Sequence, residues 1–166
     1  MFKFLKKGAE KTAEAYDILS PVQGSFVALE QVNDEVFSSG MVGKGAAVNP
    51  TEGTVKAPFA GTVETVFPTG HAYGLKSREG VEVLIHIGLD TVEMNGDGFA
   101  SSVSQGAQVK EGDVLGTFST EKIVAAGYDP TVIVVVTNTD DYEEVTAVAE
   151  GAVNFGNPLV HVVKGA

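Results

Sequence analysis

Cysteine and tryptophan are absent from this chain of 166 residues. Without cysteine there are no disulfides, no thiolate metal sites and no cysteine nucleophile. Basic residues are scarce, 11 against 22 acidic ones, giving a net charge of −11. A folded domain so charged repels a phosphate backbone, which argues against non-specific nucleic-acid binding. Long apolar runs are missing as well. Stretches such as Val132–Val136 fall far below the ~18 residues of a spanning helix. The start, MFKFLKKGAEK, is basic but has no apolar core and no cleavage site of a secretory signal. A cytoplasmic location is the expectation.

What is present points to a folded unit. Hydrophobic residues make up 43 %, too many for general disorder. The length suits one domain with a sizeable core and leaves no room for a multidomain enzyme with its own nucleotide-binding half. Glycine supplies 20 residues, well above the usual ~7 %, so many tight turns are expected. Positive charge is uneven: Lys3, Lys6, Lys7 and Lys11 stand against Glu10, Glu14 and Asp17 in residues 1–17. On a helix Phe2, Leu5 and Ala9 would share one stripe, with lysines on the polar side. The expectation is a flexible basic amphipathic arm over 1–17, with weak contact to an anionic membrane surface as its functional alternative. The domain proper then spans 18–166.

From residue 18 onward, short β-branched runs alternate with Gly, Pro, Asn and Asp. Strands are expected at Thr54–Ala57, Thr62–Phe67, Val81–Ile87, Val114–Phe118, Thr131–Thr137 and Leu159–Val163. Turns are expected at Asn49–Gly53 and Ser77–Gly80. Only the arm and Ser119–Tyr128 look helical, the latter ended by Pro130. This pattern predicts an all-β fold, a sandwich or barrel. Gly106–Leu115 resembles Gly151–Leu159, and the two copies of one turn suggest two similar half-sheets.

Histidine is the only side chain here whose ordinary pKa lies near neutrality, and there are three: His71, His86 and His161. In Val81–Gly88, period-two alternation puts Val81, Val83, Ile85 and Ile87 on one face, the evident core face. Glu82, Leu84, His86 and Gly88 point the other way. That partly apolar face, with an accessible His, suits docking of another protein. The competing interpretation is a second layer covering it, with His86 as a bonded core residue. His71 follows the turn Phe67–Gly70. Pairing Ala72–Lys76 with Val81–Ile87 about the Ser77–Gly80 turn sets His71 opposite residue 86 or 87, so the imidazoles can be neighbours. Two facing His can bind a metal, or one can carry a phosphoryl group that the other stabilises. His161 is paired with neither and is read as structural or solvent-facing. Gly43-Lys44-Gly45 lacks the spacing of a phosphate loop. No Ser-His-Asp arrangement is evident.

The string VEVLIHIGLDTVEMNGDGF around His86, FPTGHAYGLKS around His71, and DEVFSSGMVGKGAAVNPTEGTVKAPFAGTV upstream resemble the glucose-type enzyme IIA of the phosphoenolpyruvate-dependent sugar phosphotransferase system. The likeness runs from about Ile18 to Val163. It implies an antiparallel β-sandwich, a duplicated hybrid motif, with one or two short helices. It implies that His86 accepts a phosphoryl group on Nε2 from the carrier HPr and donates it to the Cys of the IIB domain of a membrane sugar permease. His71 would stabilise the phosphoryl group, Thr69 would orient His71, and the Gly88 carbonyl would accept from His86 Nδ1–H. Asp90 would flank the site, and Phe37, Phe67, Leu84 and Val92 would form the apolar docking surface. Leu84 stands where the family often has Phe. No cofactor is implied; zinc at His71 and His86 bridging to a partner, and regulatory target proteins, are features of some relatives.

Two other readings compete. A biotinyl- or lipoyl-type carrier domain would share strands like Val55–Val63 but needs a modified lysine at a hairpin tip, and no such sequence context is present. A zinc hydrolase of similar β-fold could use His71 and His86, with Asp90 or Glu82 as the third ligand a catalytic site requires.

Overall fold

Valine, isoleucine and threonine are stiff at χ1 and pack well on a pleated surface, so the β-branched runs become strands wherever glycine turns allow pairing. The computed structural model describes residues 14–165. Fourteen strands follow one another: β1 (Glu14–Leu19), β2 (Gly24–Val27), β3 (Lys44–Pro50), β4 (Thr54–Lys56), β5 (Gly61–Val66), β6 (Ala72–Ser77) and β7 (Glu82–Ile87). After these come β8 (Phe99–Ser101), β9 (Gln108–Val109), β10 (Val114–Phe118), β11 (Val132–Val136), β12 (Glu144–Ala147), β13 (Ala152–Val153) and β14 (Pro158–Lys164). Two short helices interrupt them, α1 (Glu35–Ser38) and α2 (Thr120–Ala125). No helix among the described residues is long and apolar enough to cross a membrane.

All strand pairs are antiparallel. One sheet has eight strands in the order β13-β2-β3-β11-β7-β6-β5-β9, and two three-stranded sheets run β1-β14-β12 and β4-β10-β8. The order is symmetric about the central pair β11–β7, and the small sheets correspond, so the expected half-sheets exist as a duplication. The repeated turns share their chemistry. Asp113 accepts from Lys110 N–H at 2.8 Å and Asn157 accepts from Asn154 N–H at 3.0 Å. The Asp113 carbonyl takes Ala57 N–H as the Asn157 carbonyl takes Ser20 N–H.

The main core lies between the large sheet and the small ones: Val81, Val83, Ile85 and Ile87 point into it with Leu75, Leu115, Ile123 and Leu159. The opposite face of the large sheet carries a second cluster. There Leu29, Val32 and Phe37 pack on Ala47, Leu89, Ile133 and Val135, with Leu84 at the margin. The connection from β2 to β3 therefore covers part of the His86 face, and neither of the two alternatives for that face describes it whole.

Several expectations are adjusted. Glu14–Asp17 pair with β14 in register Glu14 to Lys164 through Asp17 to His161, so these residues belong to the domain rather than to the arm. The arm's lysines and its Phe2–Leu5–Ala9 stripe lie outside the described residues. Helix α1 was not among the expected helices. Its four residues are too few to show a helical period, and it forms because Asp34 caps it, accepting Val36 N–H at 2.9 Å. The helix expected at Ser119–Tyr128 is shorter, capped by Ser119 and ended by Gly127 at φ 90°.

Candidate functional site

The hairpin β6–β7 sets the site. Ala72 lies opposite His86, and Ile87 N–H donates to the His71 carbonyl at 2.7 Å. Strand alternation continued one residue would aim His71 with Ile87 into the core. Instead the Pro68–Gly70 turn, with Gly70 at φ 73°, breaks the strand geometry just before β6. The two imidazole centroids stand 4.9 Å apart, the rings edge-on at 82°.

Each imidazole is held through Nδ1. His86 Nδ1–H donates to the Gly88 carbonyl at 2.7 Å, and His71 Nδ1 hydrogen-bonds Thr69 Oγ1. Among the described residues, neither Nε2 has a hydrogen-bond partner. His71 is 3 % exposed, and burial lowers its pKa to about 4, with the neighbouring His86 adding to the effect. His86 is lowered too, by burial first, against the opposing pull of the Gly88 carbonyl and the Asp34 and Asp90 charges. Both rings are neutral at pH 7, so His86 offers a lone pair at Nε2.

Two aromatic rings wall the pair. The Phe37 ring is 5.0 Å from His86 and the Phe67 ring 5.4 Å from His71. Phe37 is only 7 % exposed, so it walls the site more than it faces solvent. Leu84 is partly buried on the His86 face, and Val92, in the turn Thr91–Met94, is 48 % exposed. Asp90 caps that turn at φ 59°, close enough to act on His86. Sequence reasoning missed Asp34, whose charge acts on His86. A signal existed: Asp34-Glu35 ahead of Val36-Phe37 is a helix-cap pattern.

The third histidine lies elsewhere. His161 Nδ1 sits 2.8 Å from Asp17 Oδ1 on the β1–β14 pair. Glu82 lies four residues from His86 along β7, on the order of 13 Å. His71 and His86 could give a metal two nitrogen donors, yet among the described residues no group of three His, Cys, Asp or Glu is placed to hold an ion. The zinc-hydrolase reading therefore lacks its ligand set.

Known proteins are similar to this chain in sequence and in fold. The family described as phosphoenolpyruvate-dependent sugar phosphotransferase system, EIIA 1, matches residues 16–142. The β-glucoside-specific EIIBCA component of Dickeya chrysanthemi is 48 % identical over 146 residues, covering 88 % of this chain and 23 % of that protein. The chain thus spans about a quarter of such fused relatives. The glucose-specific EIIA component of Staphylococcus aureus strain COL is 42 % identical over 160 residues, 96 % of each chain. Glucose permease IIA from Mycoplasma capricolum superposes with a TM-score of 0.82 at 36 % identity, over 89 % of this chain and 96 % of that one. An antiparallel β-sandwich with a full-length match to stand-alone EIIA components leaves one assignment: the chain belongs to the EIIA 1 family of the phosphoenolpyruvate-dependent sugar phosphotransferase system.

Proposed function

We propose that the chain is a cytoplasmic phosphocarrier with a transient phosphohistidine at His86. The observation that carries this reading is the pair of neutral imidazoles 4.9 Å apart, with His86 Nδ1–H committed to the Gly88 carbonyl. That bond fixes the tautomer in which Nε2 keeps its lone pair. In the forward step the Nε2 lone pair attacks the phosphorus of phospho-HPr. The new Nε2–P bond forms as the old N–P bond breaks, its electron pair returning to the donor imidazole. In the second step the thiolate of a IIB-domain cysteine attacks the same phosphorus and releases His86 neutral. No proton leaves Nδ1 in either step.

Phosphoryl transfer needs mainly positioning and charge stabilisation. Thr69 donating its hydroxyl proton to His71 Nδ1 puts the His71 proton on Nε2, where it can donate to the incoming phosphoryl oxygens. The phosphoryl group brings about −1.5 to −2 charges, so this bond is charge-assisted. Phe37, Phe67, Leu84 and Val92 give an apolar surround that excludes water and serves successive partners. The fused EIIBCA relatives support a IIB partner. Both glucose and β-glucoside systems are represented among the relatives, so the sugar is decided by pairing the phosphorylated chain with each IIB domain.

The test is phosphorylation by phosphoenolpyruvate, enzyme I and HPr, read by intact mass. Wild type and His71→Gln gain a phosphate, and His86→Ala does not. Transfer onward to IIB is slowed in His71→Gln. An unphosphorylated wild type in the presence of competent donors overturns the reading.

A further inference from the structure

The Gly88 carbonyl decides where the His86 proton sits, so whatever fixes that carbonyl sets the nucleophile. It lies in a turn with φ 78° at Gly88 and φ 59° at Asp90. Glycine takes such a φ freely, whereas left-handed backbone at Asp90 persists where its surroundings hold it. Two braces are visible. From within the turn, the buried Thr91 hydroxyl donates to the Ile87 carbonyl at 2.5 Å. From across the sheet, the segment ahead of β11 holds the next two amides: Gly88 N–H donates to the Thr131 carbonyl at 2.9 Å and Leu89 N–H to the Asp129 carbonyl at 2.9 Å. That segment is itself closed by one side chain. Asp129 Oδ1 accepts Thr131 N–H at 2.9 Å and the Thr131 hydroxyl at 2.6 Å. Thr131 is nearly buried, and Pro130 between the two residues removes a competing donor.

We propose that Asp129, acting through Thr131, is a positioning residue for the phosphoryl acceptor. Its carboxylate closes the 129–131 turn, whose two carbonyls grip the Gly88 and Leu89 amides and so aim the Gly88 carbonyl at His86 Nδ1. The proposal rests on the phosphocarrier reading for its kinetic consequence but not for its structural one. With the carboxylate gone, the 129–131 turn loosens, the Gly88 carbonyl swings, and the His86 proton is free to occupy Nε2. A ring protonated there has no lone pair for phosphorus.

The experiment compares Asp129→Ala, Asp129→Asn, Thr131→Val and Asn138→Ala with wild type in the full chain. Asn138 supports the other end of β7, accepting Glu82 N–H at 3.0 Å and donating to the Gly80 carbonyl at 3.0 Å. Its loss therefore destabilises the same strand without touching the Gly88 turn. Imidazole 15N shifts read the His86 tautomer, and single-turnover transfer from phospho-HPr reads the rate. In Asp129→Ala the Nδ1–H form gives way to a mixture and transfer slows about tenfold, as for lost groups that orient a reacting ligand. Thr131→Val moves both readouts the same way by less, and stands in if the alanine variant does not fold. Asp129→Asn keeps an acceptor oxygen and restores both. Asn138→Ala lowers thermal stability and leaves the tautomer alone. A pure Nδ1–H tautomer in both Asp129→Ala and Thr131→Val, or an equal tautomer shift in Asn138→Ala, overturns the proposal. A wild type that takes no phosphate overturns the phosphocarrier reading instead, and the 15N readout still judges the brace.

Discussion

A buried imidazole that stays neutral makes the fold sensitive to acid. His71 has a pKa of about 4 in the fold against an ordinary 6.5. Between those values the unfolded chain binds a proton that the native chain refuses, so protons favour unfolding. Stability from this residue is complete above pH 6.5, drains away as the pH falls through the window, and is gone by about pH 4. The gap corresponds to about 3 kcal/mol. That is a large share of the roughly 5–15 kcal/mol by which domains are stable. His86 shifts in the same direction, against the pull of the Gly88 carbonyl, Asp34 and Asp90. Total stability will therefore show both histidines.

The contribution of His71 is isolated by difference. Denaturant unfolding of wild type and His71→Gln is measured at several pH values between 7.5 and 4. Every other ionisable group is common to both proteins and cancels to first order. Glutamine cannot take up the proton, so its stability relative to wild type should rise by about 3 kcal/mol across the window. A difference that stays constant from pH 7 to 4 refutes the reasoning: it would mean that His71 is protonated in the fold as easily as in water. A second readout follows from the function. Phosphorylation of His86 sets a strong negative charge beside His71, so the His71 titration midpoint, followed by NMR, should move up on phosphorylation.

Two further outcomes follow from the same geometry. In Gly88→Ala a Cβ would stand 2.4 Å from Thr91 Cγ2, on backbone at φ 78°; the left-handed backbone and the overlap together cost about 3 kcal/mol. Calorimetry should find the melting temperature down by roughly 6–12 °C, with phosphoryl acceptance lost alongside, and an unchanged melting temperature would contradict it. Asp34→Asn keeps a good helix cap and removes only the charge, so stability should change by no more than about 0.5 kcal/mol while the His86 titration midpoint moves further down, since Asp34 acts to raise it.

What could be read in the sequence divides along physical lines. The approach of the His71 segment to His86 was legible to within one residue, because the Ser77–Gly80 turn places the hairpin register at His71 opposite 86 or 87, and the structure takes the register with Ala72 opposite His86. The orientation of His71 was not, because it depends on a turn that leaves strand geometry at Gly70. The duplication was half legible. The copied turns at 106–115 and 151–159 stood out, whereas the matching Ser20-Pro21 and Ala57-Pro58 steps carry too few identical residues to announce themselves until their shared hydrogen bonds are seen. Asp34 was only half legible: its cap pattern stands in the sequence, but the four residues of α1 are too few to show a helical period beside it. Asp129-Pro130-Thr131 reads from sequence only as the end of a helix, because its bonds to Gly88 and Leu89 span about forty residues of chain.

The duplication also explains why the chemistry sits where it does. β7 and β11 form the central pair of the large sheet, one strand from each half, and His86 lies opposite Ile133 at that seam. On the core face, Val83, Ile85, Val132 and Val134 lock the seam by burial. On the other face, the two halves are no longer equivalent. The β2–β3 connection, with α1 and Phe37, covers part of it, and the corresponding β5–β6 connection is only the short Phe67–His71 turn. One half therefore supplies a wall and an acid, Phe37 and Asp34, while the other supplies a tight turn and a second imidazole. A symmetric pair of long connections would bury His86 completely; a symmetric pair of short ones would leave it in water with an ordinary pKa. The asymmetry of those two loops on a symmetric frame is what gives His86 a rigid seat, a neutral ring and an open side.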